Sequence, residues 1–206
     1  MGYFTRVLSR LDTVPELEEL EEVLLREHPG CRLEIEETDE DGVWESLLLT
    51  TVDGIEIAAL TRNPVFDGST GQDEIADLLE DACDARPESA LRWLEDFMEQ
   101  VQTVYCFQHL SGWETEEGSA ALHALRHTLW ARGEAILQAD HEGFTNEEGY
   151  HILWQFADTV SGSWNMAVLQ DETWRNFSMD LGDQEHREAF WAGEVPSDLE
   201  GLQRRR

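Results

Sequence analysis

His123 and His127 stand four residues apart in a segment that reads as helix, which is the spacing that turns two imidazoles to the same side. Glu134 falls on the same strip if the helix continues, so the chemistry on offer is a carboxylate–histidine metal site and a metal-dependent enzyme built on it. The position after His123 is Ala124, not Glu, so the metalloprotease pattern H-E-x-x-H is absent. No third ligand is fixed by spacing, and two histidines at this spacing are common by chance, so the strip reads first as a polar flank beside an apolar helix face. A second oxygen-rich stretch, 140–149, places Asp140, Glu142, Asn146, Glu147 and Glu148 around Gly143 and Gly149. It could cradle a hard cation, but it lacks the calcium-loop spacing and reads as a turn-rich connection.

Other chemistries find less support. No G-x-S-x-G, phosphate-binding glycine loop or dinucleotide fingerprint occurs, and Ser161-Gly162-Ser163 reads as a turn. His28 lies three residues before Cys31, across Pro29-Gly30. Cys106 lies three before His109, late in a segment that reads as a core helix. Cys31, Cys83 and Cys106 are odd in number and far apart, which argues against a disulfide framework or zinc ribbon and for reduced, buried thiols. No catalytic, cofactor-binding or metal residue is therefore assigned, and no cofactor.

Charge is the strongest signal. Forty-five acids face 14 bases, all of them arginine, for a formal net charge of −31 in 206 residues. There is no lysine. Such a field repels phosphate backbones and anionic membranes and attracts basic proteins and cations. It also fits a solvated coat of side chains with no partner at all. No secretory h-region lies in 1–11, no run of 18 apolar residues occurs, and Arg6 stands where N-myristoylation wants Ser or Thr. A soluble, cytoplasmic protein is expected.

The elements that would position these residues follow from periodicity. A helix is expected over 15–27, with Leu17, Leu20, Val23 and Leu24 on one stripe and glutamates around it. Strands are expected over 31–37, 43–52 and 55–61, the last two joined by a type I′ turn at Asp53-Gly54. After a loop over 63–72, helices are expected over 73–85, 87–107 and 120–139, the last with Gly133 on its apolar stripe. Six of the eight tryptophans lie beyond position 100. Alternation of Tyr150, Ile152, Trp154 and Phe156 predicts a strand over 149–157, against a competing helix from Thr145. Strands over 163–170 and 173–180, a short helix over 183–192 and a polar tail ending in Arg204–Arg206 complete the chain.

The fold class expected is α+β: antiparallel strands from the N- and C-terminal segments with a helical middle layer. One compact unit over 1–206 is expected, divisible into lobes 1–62 and 63–206. The function this implies is a non-catalytic acidic module that binds a basic protein, of the immunity, inhibitor or adaptor type. The alternatives are the His123/His127 metal enzyme and a nucleic-acid mimic that fills a basic cleft. The aromatic C-terminal third reads as core rather than groove.

Overall fold

The computed structural model describes residues 2–199, so the arginine tail lies outside the described residues. The fold is α+β, with five helices, a seven-stranded antiparallel sheet and a separate two-stranded sheet. The elements are β1 (Tyr3–Ser9), α1 (Leu17–Glu27), β2 (Cys31–Thr38), β3 (Trp44–Thr51), β4 (Glu56–Pro64), α2 (Thr70–Ala82) and α3 (Glu88–Met98). Then come β5 (Thr103–His109), a 3-10 turn (Ser111–Glu114), α4 (Glu116–Trp130), β6 (Ala135–Ala139) and β7 (Gly143–Phe144). The chain closes with β8 (Ser163–Gln170), β9 (Thr173–Asp180) and α5 (Gln184–Trp191). The large sheet runs in the order β2-β3-β4-β5-β1-β6-β7. No helix among the described residues is long and apolar enough to cross a membrane.

The chain divides into two compact units, Met1–Asp73 with Val101–Leu137 and Glu74–Gln100 with Gln138–Arg206. In the first, α1 and α4 pack on one sheet face. Leu20, Leu24, Ala121, Leu122, Leu125 and Leu129 from the helices meet Val7, Leu33, Leu47, Leu49, Leu60 and Phe107 from the strands, all buried. The alternation within each strand explains the face, since residues two apart point the same way. Trp44 is buried with them and donates its indole N–H to the Pro15 carbonyl at 2.9 Å, which satisfies its one polar atom.

In the second unit, Phe156, Met166, Val168, Phe177, Met179, Leu181 and Phe190 form a separate core beneath the β8–β9 hairpin. The hairpin turn places Asp171 at φ 49° and Glu172 at φ 60°, the two positive values that a type I′ turn requires. Asp183 caps α5 by accepting from the N–H groups of Glu185 and His186.

Several expected elements differ. The segment 1–11 holds β1, which inserts between β5 and β6. The helix expected over 87–107 stops at Met98, and Val104 and Tyr105 belong to β5. The helix expected over 120–139 begins at Glu116 and ends at Trp130. Gly133 takes φ 95°, and Ile136 and Leu137 belong to β6. Residues 149–157 form neither strand nor helix. His151 alone is bridged, to Thr145 and to Met166, and Ile152 and Leu153 are both buried, which strict alternation does not allow. The Asp53-Gly54 turn is not type I′. Only Gly54 has positive φ, Gly54 N–H bonds the Thr51 carbonyl, and the β3–β4 register slips after Leu49, as in a type I turn closed by a glycine bulge.

Candidate functional site

The chain from Asp12 to Asp41 carries thirteen acids and two bases, Arg26 and Arg32. Local structure sorts them. Leu20 and Leu24 bury one stripe of α1, which leaves Glu18, Glu21 and Glu22 on the exposed surface. Arg132 pairs with Glu19 at 2.8 Å, and Arg26 pairs with its neighbour Glu27, holding that carboxyl below its ordinary value by hydrogen bonding. After the Pro29-Gly30 turn the chain enters β2. A Cβ at Gly30 would run into the Glu117 carboxylate, so that acid from α4 covers the turn. Burial, with the Glu117 charge adding to it, pushes the Cys31 thiol up. Both effects favour the neutral thiol, and Cys31 packs in the core of the first unit.

β2 ends the sheet and pairs with β3 alone. Val52 donates its N–H to the Gly30 carbonyl, and with the observed register Arg32 and Glu34 direct their backbone groups toward β3. The backbone N–H and C=O of Leu33 and Ile35 therefore face the open edge. The side chains around that edge are acidic: Glu34, Glu36 and Glu37 are exposed. Arg32 pairs with Glu34 at 2.8 Å, and Ser46 donates its hydroxyl to Glu36 at 3.3 Å. Between α1 and β2 runs a groove of about 400 Å³ lined by Glu18, Glu21, Glu22, Leu24, Leu25 and Leu33, among others. Leu25, which lines it, is 74% exposed, and Ile35 further along β2 is 50% exposed.

The loop after β2 is tied down by one acid. Asp39 accepts from the N–H groups of Val43 and Asp41 and pairs with Arg62 at 3.0 Å. These bonds, the Val43 one foremost, hold its carboxyl below the usual range. Asp39 is a structural anchor for the β2–β3 connection.

His123 and His127 are both exposed on α4, with their rings stacked 6.1 Å apart and 10° from parallel. They line an open trough of about 1020 Å³ between α1 and α4, with Glu19, Glu27, His28 and Arg132 also along it. Desolvation, then the charges of Arg126 and His127, lower the His123 pKa. Glu134 does not extend the strip, because α4 ends at Trp130 and Glu134 sits in the following turn at φ 53°. Among the described residues no group of three or more His, Cys, Asp and Glu side chains is placed to hold a metal ion.

The remaining nominated residues serve the fold. In 140–149, Asn146 is buried and its side-chain oxygen accepts from the Glu148 and Tyr150 N–H groups, closing a turn. Cys106 and His109 lie on β5 rather than a helix, and His109 Nε2 meets Thr5 Oγ1 at 3.0 Å while its ring stands edge-on to Tyr3 and Trp113. Gly162, at the Ser161-Gly162-Ser163 turn, donates its N–H to Asp180. None of the three thiols forms a disulfide, but only Cys31 is buried; Cys106 is half-buried and Cys83 exposed. In the aromatic third, Phe156 is buried while Trp154 and Trp164 are half-buried, joined through edge-to-face contacts.

The acidic helix and the acidic strand were each legible as E-L-E-E-L-E-E and R-L-E-I-E-E. What periodicity does not carry is that β2 is a sheet edge and that α1 lies along it. Comparison of the chain with protein-family models, with curated proteins and with solved structures finds no match.

Proposed function

We propose that this chain is a non-catalytic, acidic protein-binding module that takes a basic protein partner in the cytoplasm, as an immunity protein, inhibitor or adaptor does. The observation that carries the reading is the crowding of thirteen acids against two bases over 12–41: five on α1, three on β2 and five in the loops that flank them, all exposed but the half-buried Asp39. Four arginines pair with that stretch, Arg26 and Arg32 from within it and Arg62 and Arg132 from outside, and they leave most of its thirteen acids unneutralised; a cationic surface would relieve the remaining self-repulsion while it docks. Complementary charge of this kind steers encounter and rejects acidic competitors more than it sets affinity.

The test is affinity capture from native lysate with the full chain, followed by salt titration of the captured complex. A basic partner whose binding weakens steeply between about 0.1 M and 1 M salt is the expected result, because the screening length falls from about 10 Å to about 3 Å over that range. A partner that is itself acidic, or one whose affinity ignores salt, would overturn the reading.

A further inference from the structure

We propose that the open edge of β2 binds an extended, positively charged peptide segment by strand addition, with the α1–β2 groove receiving the side chains on one face of the added strand. The inference rests on the acidic-module reading and deepens it by naming the site and the conformation of the partner.

Three observations converge on this edge. The backbone groups of Leu33 and Ile35 point away from β3, and no strand lies beyond them among the described residues. An added strand would satisfy them with main-chain hydrogen bonds, which supply affinity without regard to sequence. Beside the edge, the groove of about 400 Å³ offers Leu24, Leu25 and Leu33 as an apolar floor and Glu18, Glu21 and Glu22 as an acidic wall, against one cation, Arg32, whose charge is engaged by Glu34. In an extended peptide every second side chain points to the same face, so one face enters this groove and the other meets the Arg32–Glu34 pair and Glu36. A long basic side chain fits the groove in both its parts, its methylenes on leucine and its charge on glutamate.

Exposed edge strands are normally guarded against pairing by charged side chains. Here the guard is mostly of one sign, with Arg32 as its one cation, already paired to Glu34. Two copies of β2 paired antiparallel through Leu33 and Ile35 would set Glu34 against Glu34, which opposes self-pairing. A cationic strand meets the same side chains as attraction. The edge therefore discriminates by charge among strands rather than excluding all of them.

The probe is a capped eight-residue peptide alternating arginine and valine, titrated into the full chain by calorimetry and by amide NMR. It should bind, and the Leu33 and Ile35 amides should gain exchange protection. Methylating alternate backbone nitrogens keeps the charge and removes the strand's donors, and should weaken binding at least tenfold. On the protein side, Ile35→Pro removes an outward-facing N–H without touching the β3 ladder, a place where an edge strand accepts proline. It should weaken binding to a similar degree, with circular dichroism confirming the fold. The methylated peptide leaves the protein untouched, so it decides the matter even if that variant fails to fold.

If the methylated peptide binds as tightly, strand addition is wrong while the acidic reading survives. Binding of the peptide with protection elsewhere than β2 overturns the site alone. A glutamate–valine peptide that binds equally well overturns the charge selectivity. Concentration-dependent dimers that protect Leu33 and Ile35 without peptide would show that a second copy is the occupant, against the proposal. If neither this peptide nor polyarginine binds at low salt, the acidic-module reading falls with it.

Discussion

The His151 ring meets the Trp164 indole edge to face at 5.2 Å. Phe156 stands edge-on to the same ring, also at 5.2 Å, and His151 Nδ1 is buried with no hydrogen-bond partner. This surrounding favours the neutral imidazole, and burial lowers its pKa to about 4 against the opposing effect of the hydrogen bond to the Glu142 backbone.

The pH dependence follows in sign. Below pH 6.5 the unfolded chain takes up a proton that the folded chain refuses until about pH 4, so stability falls as pH drops through that window. The full effect is of the order of 3 kcal/mol. Melting of the His151→Gln variant should lose less stability than the parent between pH 6.5 and pH 4.5. Equal slopes would place the titrating group elsewhere.

A second expectation concerns the aromatic cluster of the second unit. Trp154 touches Phe156, Phe190 and Trp191, and the Arg187 guanidinium lies 5.2 Å from its ring centre. Full truncation of a buried aromatic costs about 3–5 kcal/mol, and a half-buried ring somewhat less. Trp154→Ala should therefore lower the melting temperature clearly, by roughly 2–3 kcal/mol in stability, while peptide binding at β2 in the folded fraction is unchanged. A variant that melts as the parent does and no longer captures the partner would make this ring a contact residue.

The β8–β9 turn can be improved. Glu172 holds φ 60°, a value that costs a side-chain-bearing residue strain that glycine avoids. Glu172→Gly should stabilise the protein by about 0.5–1 kcal/mol, read as a raised midpoint in urea with an unchanged slope.

Salt should act in two opposite ways. With a net charge of −31, moderate salt relieves self-repulsion and should raise the melting temperature of the free chain, even as it weakens a basic partner's hold. A melting temperature that falls or stays flat would show that repulsion does not limit stability.

Transition metal should not copurify. His123 and His127 share a helix face, but Glu134 has left it, and an exposed pair of imidazoles offers two ligands where a structural zinc site uses four. Elemental analysis should find no stoichiometric zinc, iron or manganese. A stoichiometric metal lost on His123→Ala would reverse this and bring the metal-enzyme reading forward.

Legibility in the sequence tracked the distance over which each element is decided. The β8–β9 strands match their expected ranges, because alternation and a two-residue turn are local. The meander β2–β4 is likewise local, although its Asp53-Gly54 turn differs in type. β1 carries no such turn, and its partner strand begins some ninety residues on, so nothing nearby announced it. Between Met98 and Val104 the apolar spacing runs on in helical register with no glycine or proline, yet the chain changes to strand at Thr103. There the sheet position open between β4 and β1 outweighs a weak local preference. Gly133 did punctuate α4, and its positive φ is the reason. The glutamates of the candidate site were visible singly; their shared groove exists only once β2 becomes an edge.

That placement of β1 also orders events during synthesis. Its partners on β5 lie 94 to 106 positions later, from Ser9 with Thr103 to Tyr3 with His109. At translation rates of about 5–20 residues per second, β1 emerges roughly 5–20 seconds before the strand it pairs with. The hairpin of β8 and β9, by contrast, can zip up within microseconds of leaving the ribosome. During the wait Val7 and Leu8, which end fully buried, are apolar side chains on a nascent tether, and the acid-rich segment that follows them keeps that tether in solution until β5 arrives.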